Sequence, residues 1–316
     1  ALMRWRELLT DTRTSSIVAG LHLGRSKPLP ASFLPLVCDL LEHPDDSVKK
    51  AALAALPNGE FVADARLTGL LENLVRSPDQ QMRRAAVLCY RLLPAADRER
   101  LAFAALVDRH PDVVHAALGE LEQCIETLED RLFDWLDHSR TTPRQQEAVV
   151  CYLSRHGASR QRFEAFAARR LNEAALMALA LRVLQADAGR KDPGSTLVAM
   201  VLAERFTQLL EVALLAMENL GDSHSIRIVY LALRAKDKRQ VARAREALAN
   251  IANSTLGAQL GQLLAAASDR TAPIETGPDM PLFRNAADAL QWCANHVDYW
   301  LKECAQHAVK AAPAGG

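Results

Sequence analysis

Leu40-Leu41-Glu42-His43-Pro44-Asp45-Asp46-Ser47-Val48-Lys49-Lys50-Ala51-Ala52-Leu53 returns one period later as Leu74-Val75-Arg76-Ser77-Pro78-Asp79-Gln80-Gln81-Met82-Arg83-Arg84-Ala85-Ala86-Val87. It returns again, with a shorter turn, as Leu106-Val107-Asp108-Arg109-His110-Pro111-Asp112-Val113-Val114-His115-Ala116-Ala117-Leu118. Weaker copies run from Leu9-Thr10-Asp11 to Ala19-Gly20-Leu21 and from Leu136-Asp137-His138 to Glu147-Ala148-Val149. With the second alanine as the marker, Ala19, Ala52, Ala86, Ala117 and Ala148 recur about every 31 to 34 residues, the spacing of stacked helical repeats.

Each unit reads as two helices. Pro-Asp ends the first and opens the second, because Pro suits a turn or a first helical position and Asp caps free amides at the positive helix end. The Ala-Ala pair lets successive second helices approach, and the Leu and Val around it fill a shared core. The expected fold class is all-α, a helical-repeat solenoid or α-α superhelix. The pattern resembles HEAT repeats over about residues 8–251.

Composition agrees with that class. Charged residues make up 24% of the 316 and apolar residues 49%, while aromatics are only 5%, so Ala, Leu and Val dominate and favour close helix packing over sheets. A chain this long exceeds the roughly 250 to 300 residues at which a single core stops growing, and a solenoid escapes that limit because each repeat packs only on its neighbours. Lys plus Arg and Asp plus Glu both number 38, so no net positive field selects nucleic acid. Cys38, Cys89, Cys124, Cys151, Cys293 and Cys304 lie scattered in apolar helical stretches, which reads as reduced thiols of a cytoplasmic protein. No apolar run reaches the ~18 residues of a membrane span. Both ends read as cuts through a longer protein.

Past Gly157 the repeat loosens. Residues 160–184 read as a further helix pair, 191–195 as a loop and 197–220 as one long helix. Asp222-Ser223-His224-Ser225 caps a helix over 226–234, and another follows over 239–251. The domain reading is a repeat solenoid over 1–267, a Pro- and Gly-rich linker over 268–281, and a C-terminal helical cap and tail over 282–316, with its two helices near 286–295 and 297–309.

A second resemblance rests on Glu204-Arg205-Phe206-Thr207-Gln208-Leu209-Leu210-Glu211, Ile226-Arg227-Ile228-Val229-Tyr230-Leu231, Arg245-Glu246-Ala247-Leu248-Ala249-Asn250 and the words around Trp292 and Trp300. These look like the HEAT segment of bacterial proteins that join a nucleotide-transporter-like membrane domain of the ATP/ADP translocase type to a cyclic-nucleotide-binding-like domain. The resemblance implies a cytosolic spacer at the inner face of the inner membrane, whose partners are proteins or flanking domains of a longer parent chain. It implies contact with the membrane only indirectly. Neither transport nor nucleotide binding carries over to any residue, and the number of copies that assemble stays open.

No catalytic motif appears: Gly-x-Ser-x-Gly, His-Glu-x-x-His, phosphate-loop and dinucleotide fingerprints are all missing. No cofactor is expected, and the chain is read as a scaffold and not as an enzyme. Cys293-Ala294-Asn295-His296 and Cys304-Ala305-Gln306-His307 have metal-ligand letters, but on one helix the two cysteines would stand about 16 Å apart, so buried thiols and surface imidazoles are the expected reading. Asp222, Ser223 and His224 carry the letters of a hydrolase triad at a helix start, where capping is the expected role. The basic run Arg234, Lys236, Lys238, Arg239 and Arg243 is a candidate anionic-partner face, although Asp237 interrupts it. The basic pairs Lys49-Lys50 and Arg83-Arg84 are expected to form a ladder with Asp45, Asp79 or Asp112 in neighbouring turns. Trp292, Tyr299 and Trp300 are candidate docking anchors, with a sealed core as the rival account. The rival function is that of a HEAT-like nucleic-acid-binding protein such as an alkylpurine DNA glycosylase, which would need a basic groove holding an acid and aromatics.

Overall fold

The structure, a computed structural model, describes residues 2–123, 128–138, 143–186, 193–221, 223–234, 244, 255–269, 271–274 and 283–311. Among them there are helices, turns and loops and no strand, so the all-α expectation holds. The chain folds as two compact units, Ala1–Leu128 and Glu129–Gly316.

The first unit is a succession of helix pairs: α1 (Leu2–Leu9) with α2 (Thr14–Ser26), α3 (Leu34–Leu41) with α4 (Asp46–Ala55), α5 (Ala65–Leu74) with α6 (Gln80–Leu88), and α7 (Ala95–Ala105) with α8 (Pro111–Glu122). Partners within each pair pack together, and α2 packs on α4, α4 on α6 and α6 on α8. The turn chemistry that predicts this is present. Asp45 caps α4 by accepting the Ser47 N–H at 2.8 Å, and Asp79 caps α6 by accepting the Gln81 N–H at 2.8 Å. In the third copy Pro111 takes the first helical position, and Asp108, upstream, accepts the His110 N–H at 2.8 Å.

Counted seven residues on from the N-cap, a small residue sits in the stacked face of every second helix: Gly20, Ala52, Ala86 and Ala117 are all buried. This corrects the marker in the first copy, because Ala19 is exposed and Gly20 takes its place. A Cβ on Gly20 would come within 3.0 Å of Leu9 Cδ2 and 3.1 Å of Leu8 Cβ, so an alanine there would need those leucine side chains to give by a few tenths of an ångström. The Trp5 indole N–H closes the contact by donating to the Gly20 carbonyl at 2.7 Å, which places that tryptophan in the core.

The expected ladder forms only in part, and Lys49 pairs with Asp46 within α4 at 3.0 Å. Lys50 Nζ reaches Asp79 at 2.5 Å, as the ladder predicts. Arg83 pairs with neither Asp79 nor Asp112: its Nε and Nη2 donate to Asp108 at 2.7 and 3.0 Å, and its Nη1 donates to the carbonyls of Ser77 and Pro78. The shortened third turn explains this: it sets Asp108 beside Arg83, while Asp112 lies beside the start of α6 and accepts from Gln80 Nε2 at 3.0 Å. A second ladder joins the first helices of successive pairs, Arg66 to Asp39 and Glu42, and Arg100 to Glu72. Its pairs are exposed, so solvent screens them and they add little to stability.

The second unit is entered within α9 (Leu128–His138) and continues through α10 (Pro143–Arg155), α11 (Arg160–Ala186), α12 (Pro193–Met217), α13 (Ser223–Arg234), α14 (Thr255–Ser268), α15 (Ala286–Ala294) and α16 (Tyr299–Ala311). Residues 160–184, expected as a pair, form one unbroken stretch of the 27-residue α11. Neither Gly nor Pro occurs within it, and Asn172, its weakest helix former, stays outside the core and accepts a hydrogen bond from Gln259 Nε2 at 2.7 Å. Of the expected loop at 191–195, Pro193, Gly194 and Ser195 form the first turn of α12 instead, and 191–192 lie outside the described residues. α12 packs along α11 and also meets α10, α13 and α16, which accounts for its nearly continuous apolar character. The exposed Arg-to-acid pairing recurs from α11 to α9, Arg162 to Asp130 and Arg169 to Asp137, each at 2.6 Å. The expected helix at 239–251 and most of the Pro-rich linker lie outside the described residues.

Gly157 ends α10 with φ +69°, and the Ala158 N–H returns to the Leu153 carbonyl at 3.1 Å. This is a left-handed helix stop. An added Cβ would meet no atom within 4 Å, so Gly157→Ala is expected to cost about 1 kcal/mol through backbone strain alone, read as a lowered urea midpoint with an unchanged slope.

Candidate functional site

The turn between α15 and α16 is built from the sequence Asn295-His296-Val297-Asp298. Asn285 caps α15 by accepting the Asp288 N–H at 2.9 Å, and the Asp288 carboxylate returns to the Arg284 N–H at 3.0 Å. After α15 ends, His296 Nδ1 accepts the Asp298 N–H at 3.0 Å, Asp298 Oδ1 accepts the Leu301 N–H at 2.9 Å, and Asp298 Oδ2 accepts from Arg205 Nε of α12 at 2.8 Å. Arg205 is further held by Gln208 Oε1 at 2.9 Å. Both members of the Arg205–Asp298 pair are buried.

This turn shares the hydrogen-bond and burial pattern of the turns that open α4 and α6. Seven residues beyond Asp298 stands Ala305, buried like Ala52 and Ala86, and three beyond it stands Leu301, buried like Val48 and Met82. His296 plays toward Asp298 the part that His43 Nδ1 plays toward the Asp45 N–H and Ser77 Oγ toward the Asp79 N–H. The sequence reading expects a surface imidazole at His296 and gives Asp298 no role; the His296 side chain is instead only 10% exposed, because α15 packs on α11. The signal was available: His-x-Asp with a small residue seven further on.

The three candidate anchors part company here. Tyr299 and Trp300, in the first turn of α16, are 64% and 62% exposed, with ring centroids 5.7 Å apart in an edge-to-face pair. Val297 beside them is exposed too. A sealed core therefore does not account for Trp300. Trp292 is half-buried instead, edge-on to Phe283 at 5.5 Å and to His296 at 5.0 Å, so it braces the turn and is not one of the surface pair. Trp135 is also half-buried. Of the candidate basic face, Arg234 is the last residue of α13, its side chain lying outside the described residues, as do Lys236, Lys238, Arg239 and Arg243 altogether.

Burial pushes the Cys293 thiol up to about 12, far from a thiolate, and His296 has its Nδ1 lone pair committed to a backbone amide. No group of three His, Cys, Asp or Glu among the described residues is placed to hold a metal ion. Ser223 and His224 are exposed at the start of α13, and Asp222 lies outside the described residues. A polar depression in the first unit, lined by Gln80, Gln81, Arg84 and Asp112, holds a Gln80–Asp112 hydrogen bond of 3.0 Å and no nucleophile. No described helix is long and apolar enough to cross a membrane. No family model matches this chain, and no curated protein matches its sequence.

Proposed function

We propose that this chain is a HEAT-like repeat scaffold that couples proteins or domains without catalysing a reaction, and that the first turn of α16 is its docking edge. The observation that carries this reading is the exposed Tyr299–Trp300 pair on a turn held rigid by a buried ion pair. Large aromatics fixed at low conformational-entropy cost are the side chains that dominate protein interfaces. The stacking of second helices in the first unit, with small residues at a constant distance from each cap, supports the repeat reading. The resemblance to spacers between a transporter-like membrane domain and a nucleotide-binding domain suggests a cytosolic setting and a protein partner.

Cross-linking in native cell extract, with the linked peptides mapped by mass spectrometry, tests this. Lys302 and Lys310 of α16 are expected to link to a second polypeptide or domain. The double change Tyr299→Ala and Trp300→Ala is expected to weaken that association by at least about tenfold while leaving helicity unchanged. Links that avoid α16, or duplex-DNA binding with a steep salt slope in place of protein association, would overturn the reading in favour of the nucleic-acid alternative.

A further inference from the structure

His296 lies largely buried in the corner where α15 packs on α11 and α16 on α12, its side chain 10% exposed. A backbone N–H can only donate, so the Nδ1 that receives the Asp298 N–H is the unprotonated nitrogen, and the ring proton sits on Nε2. That nitrogen faces Glu173 Oε1 of α11 at 3.8 Å. We propose that His296 is an acid-sensitive latch: protonating it removes the acceptor of the Asp298 N–H and frees the α15–α16 pair, with its aromatic edge, from α11 and α12. The physical switch stands on this geometry, and only its consequence for docking rests on the function proposed above.

The charged groups around the ring decide whether the latch can work. From α11 come Glu173 and Arg170, already joined at 3.0 Å. From α12 come Arg205, joined to Asp298, and Glu204, which lies 3.9 Å from Arg205. The turn itself supplies Asp298. The two carboxylates nearest the imidazole thus each have a guanidinium partner, which blunts their pull on an imidazolium. Burial pushes His296 below its ordinary value, against the opposing pull of Glu173 and Asp298. Its folded pKa therefore lies under the unfolded value of about 6.5. The unfolded or opened form then binds the extra proton, so the latch is fully closed above about pH 6.5 and loosens as pH falls towards the folded pKa. At the equivalent turn before α6, Ser77 Oγ fills the same role and has no proton to gain near neutrality, so the turn does not itself require an imidazole.

Hydrogen exchange of the whole chain, corrected for intrinsic rates between pH 7.5 and 5, reads the latch without any partner. The opening constant of α15 and α16 amides is expected to rise by up to about tenfold per pH unit within the window below pH 6.5, while α6, whose turn uses the Ser77 hydroxyl, stays flat. His296→Asn keeps an acceptor at the place of Nδ1 and cannot titrate there, so it is expected to abolish the acid step and retain protection at pH 7.5. Should that variant lose protection at all pH values, His296→Ser, with the acceptor that Ser77 supplies, and an NMR titration of the wild-type ring carry the test. A ring that titrates at or above pH 6.5, acid-independent protection of α15 and α16, or the same acid step in a folded His296→Asn or His296→Ser would overturn the proposal. Failure of α16 to cross-link to any protein would instead strike the docking function and leave the latch standing.

Discussion

Asp108→Ala is expected to destabilise the first unit by about 3–5 kcal/mol, because it strands a guanidinium that is almost wholly out of water. Arg83 keeps the carbonyls of Ser77 and Pro78 but loses both carboxylate bonds, and the His110 N–H loses its acceptor at the entry to α8. Exchange of α6 and α8 amides measures the loss locally. If Arg83→Met and Asp108→Leu are combined, most of the stability should return, since an apolar pair of similar volume removes two desolvation costs together. A double variant as unstable as Asp108→Ala would show that shape, not charge pairing, governs this contact. The acid limb has a definite sign. Burial pushes the Asp108 carboxyl up, but the Arg83 and His110 hydrogen bonds and their charges outweigh it and hold it below the ordinary carboxylate value. Its stabilisation is therefore fully present above about pH 3.9 and is lost as pH falls through the folded pKa. Asp108→Asn removes that part of the pH dependence.

Asp298→Ala is expected to have a comparable effect in the second unit, again about 3–5 kcal/mol, by stranding Arg205 on α12 and uncapping α16 in one step. Asp298→Asn separates the two contributions. Asparagine still caps a helix but carries no charge, so it should recover about 1 kcal/mol relative to alanine. The loss is expected to appear as exchange in α15 and α16 and as solvent exposure of Trp292, with α9 and α10 unaffected. Uniform loss of protection across both units would mean that this pair does not act locally, and equal values for the two variants would mean that the cap contributes nothing.

The fold was legible where the signal is short-range. Asp45 and Asp79 announce their caps because the acceptor and the amides it serves lie within two residues. The buried alanines announce the stacked face because helical geometry returns the same face seven residues on. The long α11 was misread as two helices because a repeat length was extended into a stretch that contains no breaker. At the candidate site the letters were visible and their roles were not. Trp292, Tyr299 and Trp300 look alike in sequence, yet the first braces a turn and the other two face solvent.

From its sequence alone this chain is committed to helices and to the acidic turns, Asp45 and Asp79 among them, that open α4 and α6. Those properties depend on backbone propensity and on contacts within about two turns, which neighbouring residues set between themselves. Only tertiary structure decides that Arg83 meets Asp108, that Arg205 finds Asp298 across 93 positions of sequence, and that His296 is largely buried while Trp300 is not. Burial and long-range pairing are properties of which helices touch. Of the residues in one turn, packing withdraws some from water and leaves the others exposed, and that choice is made by neighbours far away in the chain.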